Sequence, residues 1–269
     1  MADYVHGYSE RERQRLHDQA NTLADLLHHD TVFPPGALVL EAGTGVGATT
    51  ALVAARNPDA RIVSVDFSAQ SLAEARNNLH AAGVSHVRLS QSDAYRLPFP
   101  DGCFDVVFCC FLLEHLEEPT SAAREWLRVL KPGGRVISVE GDHGSCHFHP
   151  ETDAARRVWQ CLIDVQAVLG GDANIGRRLG SVLTGGGLGQ VAVSPRTVWC
   201  DATRPEWVEG FVRNTIIPMV AGVREAAIAQ GMATPAQWAQ GMADLQQCAD
   251  DPMGSFTYLF YKGTAVKGA

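Results

Sequence analysis

Three acids, each at or just past the end of an apolar run, and one set of alternating glycines carry most of the chemistry that this chain can offer. Glu41 follows the run 37–40, Asp66 follows 61–65, and Asp93 comes shortly after 87–89. Gly43, Gly45 and Gly47 stand directly behind Glu41. Glycine permits turns closed to other residues and lets a ligand approach the main chain. The helical pattern opening at Ala48 adds N–H groups with no partner of their own. Strand, glycine turn and helix form a cradle for a nucleotide-type ligand. Carboxylates along its edge suit a ligand with hydroxyls and a positive charge and disfavour a phosphate. The glycines alone do not decide, because Gly43-x-Gly45-x-x-Ala48 with Asp66 downstream also fits the relaxed dinucleotide fingerprint. Two histidines add proton chemistry. His143, with Asp142 or Glu140 to orient it, is a candidate base toward an acceptor hydroxyl or amine. His115 stands where a helix begins after the fourth strand, with capping or packing as its other reading.

The elements needed to position these groups follow from periodicity. Runs 37–40, 61–65, 87–89, 104–111 and 135–139 read as strands, the fourth apolar almost throughout, as in a strand covered on both faces. Helical patterns alternate with them: one opening at Ala48, 69–82 capped by Ser68, and 120–130 stopped by Lys131-Pro-Gly-Gly134. Such alternation predicts a parallel sheet with right-handed crossovers, and ligands in such sheets bind beyond the carboxyl ends of the strands. Glu41, Asp66, Asp93, Phe111 and residues 140–143 all fall at those ends.

Taken in order, Glu41-Ala-Gly-Thr-Gly-Val-Gly47, Val65-Asp66-Phe-Ser68, Ser92-Asp93-Ala94 with Leu97-Pro-Phe-Pro-Asp101, Phe104-Asp-Val-Val and Leu130-Lys-Pro-Gly-Gly134 resemble the class I S-adenosylmethionine-dependent methyltransferases across residues 37–140. The resemblance implies a Rossmann-like, doubly wound α/β sheet of seven strands, the last inserted antiparallel beside the sixth. It implies S-adenosyl-L-methionine as cofactor and S-adenosyl-L-homocysteine as product. It places Gly43, Gly45 and Gly47 under the methionine part and ribose, Asp66 on the ribose hydroxyls, Phe67 on the adenine, Asp93 and Ala94 at the adenine amino group, and Phe111 beside the cofactor. The cofactor is a sulfonium without phosphate, so the acid edge fits it, with Glu41 as part of that edge.

The flanks read as substrate machinery. Ser9-x-x-Glu12 is a capping box for a helix with Leu16, Ala20, Leu23 and Leu27 on one side. Tyr4 and Tyr8 ahead of it resemble the lid of small-molecule methyltransferases. An aromatic ring over a sulfonium is favourable by roughly 0.5–2 kcal/mol, and Tyr8 is the candidate for that role. After strand five, residues 142–149 read as a polar loop. Its His143, Cys146, His147 and His149 do not have zinc-ligand spacing, and no metal is expected. Helices follow at 151–170, 175–183 and within 205–250, a sixth strand at 190–199 is interrupted at Pro195, and 254–266 contains the last strand. Trp159, Trp199, Trp207, Phe211, Met219 and Trp238 supply bulky apolar material for a substrate cap. The organisation expected is a lid helix (1–36), a cofactor-binding core (37–145) and a remainder with cap insertions and the last two strands (146–269).

Bulk properties agree with a small-molecule enzyme. The chain has 269 residues, 46% hydrophobic, with a formal net charge of −8, which argues against a nucleic-acid surface. Its seven cysteines and the lack of a long apolar run suggest a cytoplasmic protein with reduced thiols and no membrane partner. The reading reached is methyl transfer to a small organic acceptor by in-line displacement. An NAD(P)-dependent oxidoreductase, a non-catalytic cofactor binder, and an enzyme using the same cofactor for intramolecular cyclisation remain open beside it.

Overall fold

Residues 10–268 are described by the computed structural model. The elements are α1 (Glu10–His28), β1 (Leu38–Ala42), α2 (Ala48–Arg56), β2 (Arg61–Asp66), α3 (Ala69–Ala81), β3 (Val87–Gln91), β4 (Phe104–Cys110), α4 (Pro119–Val129), β5 (Leu130–His149), α5 (Asp153–Val168), α6 (Ile175–Gly185), β6 (Gly189–Asp201), α7 (Pro205–Trp207), α8 (Ile217–Gly222), α9 (Arg224–Ala229), α10 (Pro235–Asp250) and β7 (Ser255–Val266). A 3₁₀ turn, Leu113–His115, follows β4, and a π-helical segment, Val208–Ile216, joins α7 to α8. The seven strands form one sheet in the order β3-β2-β1-β4-β5-β7-β6. The first five are parallel, and β7 runs antiparallel between β5 and β6.

Both faces of the sheet are covered, so strand residues alternate between two cores. Val106, Phe108 and Cys110 of β4 join a core with Leu23 and Leu27 of α1, Val158 and Leu162 of α5, and Phe211. Phe104, Val107 and Cys109 face the other way, against Trp126 of α4 and Leu179 and Leu183 of α6. Local signals set the helix starts. The Ser68 hydroxyl accepts from Ser71 N at 3.1 Å to open α3, and Thr234 with Gln237 forms a capping box at α10.

Three expectations are corrected. Residues 142–149 are not a loop: β5 continues to His149, pairing with β7 as far as Asp142↔Leu259 and resuming at His147↔Thr257 after a register shift. Polar residues mask that strand because it is long and bulged. Pro195 does not interrupt the sixth strand. It pairs with Tyr261 inside β6, which is the sheet's edge, where a residue without an N–H is tolerated. The first strand extends through Glu41 to Ala42 rather than ending at Leu40.

Candidate active site

A cavity of about 600 Å³ opens over the carboxyl ends of β1, β2, β4 and β5. At one end lie Gly43, Thr44, Gly45 and Val46 of the turn, Asp66, Phe67, Ser92 and Ala94. At the other lie Phe111, Glu114, His115, His143, Tyr258 and Phe260. Helix α1 forms a wall with Glu12, Arg13, Arg15, Leu16, Gln19 and Ala20, and the cap contributes Phe211, Thr215, Ile216 and Met219.

The glycine turn is tightly self-bonded. Gly43, Gly45 and Gly47 have φ of 85°, 53° and 78°, a region other residues rarely adopt. Gly43 N and Thr44 N donate to Val65 O at 2.9 and 3.1 Å, and Gly47 N donates to Thr44 O at 2.9 Å. Gly45 N donates to Asp66 Oδ2 at 2.8 Å. These N–H groups are therefore spent inside the protein and do not form a nest for a pyrophosphate. Asp66 Oδ1 accepts from Ser68 N at 2.9 Å. Each Asp66 oxygen thus takes one backbone N–H and keeps acceptor capacity toward the cavity, enough for a pair of hydroxyls. Thr44 Oγ1 and Ser92 Oγ are buried with no hydrogen-bond partner among the described residues, and both residues line the cavity. Such atoms are what a bound polar ligand satisfies.

Several expected contacts are displaced. Glu41 is buried under the turn, where its carboxylate accepts from the Ser64 hydroxyl, and it lines a small separate void with Phe33, Val39 and Phe108. It is not among the cavity residues, because its strand position points it to the face opposite Leu40 and Ala42. Burial pushes its carboxyl up to about 7, and the Asp66 charge adds to that. Gly47 also stands behind the cavity wall: a Cβ there would meet the Ala75 Cβ at 3.0 Å, so this glycine serves the approach of α3. Asp93 turns back on its own loop, its Oδ1 accepting from Tyr95 N at 2.9 Å, and leaves Ser92 and Ala94 to face the cavity. Phe67 stands at the rim, 56% exposed. Phe111 lines the cavity with its ring 5.4 Å from that of Phe260. Tyr4, Tyr8 and Ser9 lie outside the described residues.

The floor combines acids and imidazoles. His143 is buried, its Nδ1 2.7 Å from the Tyr258 hydroxyl. Its carbonyl accepts from Trp159 Nε1 at 2.9 Å. Asp142 does not orient it, being engaged by Arg177 at 2.8 and 2.7 Å. Glu140 does not either: its Oε1 accepts from Leu112 N and Leu113 N at 3.2 and 2.9 Å, shaping the turn after β4. Burial holds the imidazoles of His143 and His115 below their usual pKa, so both are neutral at pH 7. His115 Nε2 is 3.7 Å from Glu114 Oε1, and Gln166 Nε2 donates to Glu114 Oε2 at 3.3 Å. On α1, Arg15 grips Glu12 at 2.7 and 2.6 Å and donates to Gln19 Oε1 at 2.7 Å. Glu12, Arg15, Glu114 and Tyr258 gave no signal in the sequence. Glu12 read as a helix cap, and Tyr258 lies in the expected last strand, 115 residues from its partner. Of the bulky residues assigned to the cap, Phe211 and Met219 reach the cavity; Trp159 and Trp238 are core, and Trp199 is 45% exposed on the edge strand.

Comparison with known proteins decides the family. Residues 40–138 match the family model described as a methyltransferase domain. A demethylmenaquinone methyltransferase of Thermus thermophilus is 39% identical over 102 residues, which cover 38% of this chain and 46% of that protein. An uncharacterized 37.1 kDa protein in transposon Tn4556 of Streptomyces fradiae is 31% identical over 199 residues, 73% of this chain and 56% of that one. The chain belongs to the class I S-adenosylmethionine-dependent methyltransferases. It spans about half the length of these curated relatives. Among solved structures, the [4+2]-cyclase SpnF has a TM-score of 0.55 at 25% identity, covering 93% of this chain and 82% of that one. The residues matched to the methyltransferase domain hold most of β1, then β2 to β4 and the start of β5, together with the turn and the Asp66 end of the cavity. Among the described residues no cluster of three or more His, Cys, Asp or Glu is placed to hold a metal, and no helix is long and apolar enough to cross a membrane.

Proposed function

We propose that this chain transfers the methyl group of S-adenosyl-L-methionine to a small organic acceptor held in the same cavity. The observation that carries the reading is the continuity of that cavity. It runs from the ribose-type acid Asp66 to a floor of aromatic and ionisable groups, with no break between cofactor cradle and acceptor space. In this reading the turn at Gly43–Gly45 passes under the methionine part, Asp66 takes the ribose hydroxyls, Phe67 and Ala94 flank the adenine with Ser92 as a polar contact, and Phe111 lies beside the sulfur end. Asp93 acts through the shape of its loop. Glu41 and Gly47 support the turn from behind, and Tyr8, ahead of α1, serves as the lid residue. The bound cofactor supplies an electrophilic methyl carbon, and the chain supplies position and exclusion of water. Holding nucleophile, carbon and sulfur in line replaces the entropy that a free encounter would lose.

Its size, within the range of about 300–1,000 Å³ typical of small-molecule sites, favours a small acceptor over a polymer. The quinone named for the Thermus relative is one acceptor class consistent with the apolar wall of Phe211, Ile216, Met219 and Phe260. The spent N–H groups of the turn disfavour the oxidoreductase alternative. Calorimetric titration with S-adenosylmethionine, S-adenosylhomocysteine and NAD tests the cofactor. Cell extract incubated with methyl-labelled cofactor and read by mass spectrometry tests the transfer. Binding of NAD alone, or bound cofactor with no labelled product, would overturn the respective half of the proposal.

A further inference from the structure

The proton on the Tyr258 hydroxyl has one destination among the described residues, and it fixes what His143 presents to the acceptor. Tyr258 is buried, and burial holds its phenol well above the usual range, so it keeps its proton. Gly141 makes the approach possible: a Cβ there would stand 2.5 Å from the tyrosine oxygen. The one hydrogen-bond partner of this hydroxyl among the described residues is His143 Nδ1, 2.7 Å away, so the hydrogen that the phenol keeps goes there. A neutral imidazole that accepts at Nδ1 carries its hydrogen on Nε2. The second nitrogen makes no hydrogen bond to the described protein, and His143 is a cavity residue. Charged and titratable groups facing the ring come from every side: Glu114 and His115 from the turn after β4, Asp142 from β5 itself and Arg15 from α1.

Resting on the methyl-transfer reading above, we infer that His143 is a hydrogen-bond donor rather than a base, held in that tautomer by Tyr258 as a positioning residue, and that the acceptor offers it an oxygen that only accepts, that of an ionised phenol or enol. The acceptor enters after losing its proton to solvent. Its electron pair, delocalised between that oxygen and the carbon next to the one bearing it, forms the bond to the methyl carbon as the carbon–sulfur bond breaks. The pair of that bond stays on sulfur, which becomes a neutral thioether.

The tautomer is testable without knowing the acceptor. Protein labelled with ¹⁵N-histidine and bound to S-adenosylhomocysteine should show His143, assigned by loss of its signals in His143→Gln, with Nε2 protonated and Nδ1 bare at neutral pH. In Tyr258→Phe the preference should give way to a mixture. A hydrogen on Nδ1, or an imidazolium, would overturn the inference. The acceptor class is tested with 4-nitrophenol, whose ionised form absorbs separately. Its phenolate should bind the S-adenosylhomocysteine complex about tenfold or more tightly than it binds His143→Phe, with affinity partly restored in His143→Gln, which keeps a donor. Preference for the neutral phenol, or equal affinity in native protein and His143→Phe, would overturn it. Calorimetric binding of S-adenosylhomocysteine, measured first, separates the two levels: without it the parent reading fails, and with it a wrong tautomer sinks only this inference.

Discussion

Asp66 is the residue on which two functions converge, since one carboxylate fixes the glycine turn through Gly45 N and still offers acceptor sites to the cavity. Hydrogen bonds to a charged group contribute roughly 1.5–3 kcal/mol, so Asp66→Ala should weaken S-adenosylhomocysteine binding about tenfold or more, read by calorimetry. Unchanged affinity in a folded variant would remove Asp66 from the site. Glu41, the acid that looked its equal in the sequence, has a different consequence. Its folded carboxyl sits at about 7 against an ordinary 4.5. A raised folded value means that its stabilising contribution is complete below about 4.5 and is lost as pH rises through about 7, where the buried group must ionise. That displacement corresponds to about 3 kcal/mol for a fully buried group. Glu41→Gln, which stays neutral, should flatten the pH dependence of stability between those values, measured as urea midpoints across the window. Equal slopes in the two proteins would show that Glu41 does not titrate there.

At the scale of elements, the partner of the cradle is α1. Arg13 reaches Glu74 of α3 at 2.8 Å, Leu23 and Leu27 enter the core, and the C-terminal end of the helix is anchored by a lysine from the other end of the chain. Lys262 of β7 is buried and donates to Leu27 O at 3.0 Å and Thr31 Oγ1 at 2.7 Å, with Asp30 as its ion pair. Removing the ammonium leaves these acceptors without their donor, which costs about 1–3 kcal/mol for such groups. Lys262→Met should therefore lower the unfolding free energy by that amount, read from urea titration, while leaving cofactor affinity in the folded protein nearly intact. A variant as stable as the native chain would show that α1 is held by its apolar stripe alone. The stripe was legible from Leu16, Ala20, Leu23 and Leu27, because period is a local property of the sequence. The anchor was not, because it joins Leu27, Asp30 and Thr31 to a strand residue more than 230 positions away.

For the whole molecule, the same division between local and long-range information explains what the sequence disclosed. Strand, turn and helix order from β1 to β5 followed from runs and breaks within about ten residues. The positions of Gly43, Gly45, Asp66 and Phe111 around one cavity followed from the rule that strand ends share an edge, and those of Phe67 and Ala94 from the family resemblance. Glu41 and Asp93 do not line the cavity because end-of-strand position does not say which way a side chain points, and Gly47 does not because its place is taken up by the approach of α3. The pairing of His143 with Tyr258 escaped notice for a related reason: they meet only because β7 is inserted beside β5, which no local pattern encodes. The cavity that these elements enclose predicts linkage between ligand and fold. A ligand that binds only the folded chain stabilises it by about 2.7 kcal/mol at a hundred times its dissociation constant. For a chain of this size each kcal/mol moves the melting midpoint by roughly 2–4 °C, so S-adenosylhomocysteine should raise it by roughly 5–10 °C. NAD at the same concentration should leave it in place, because four N–H groups of the turn are already bonded to Val65, Asp66 and Thr44 and the Asp66 carboxylate beside them repels a pyrophosphate. The shift should shrink in Asp66→Ala and persist in Lys262→Met, whose lower starting midpoint has a cause remote from the cavity. A shift with NAD and none with S-adenosylhomocysteine would mean that the turn opens its N–H groups to phosphate, against the bonding that holds it closed.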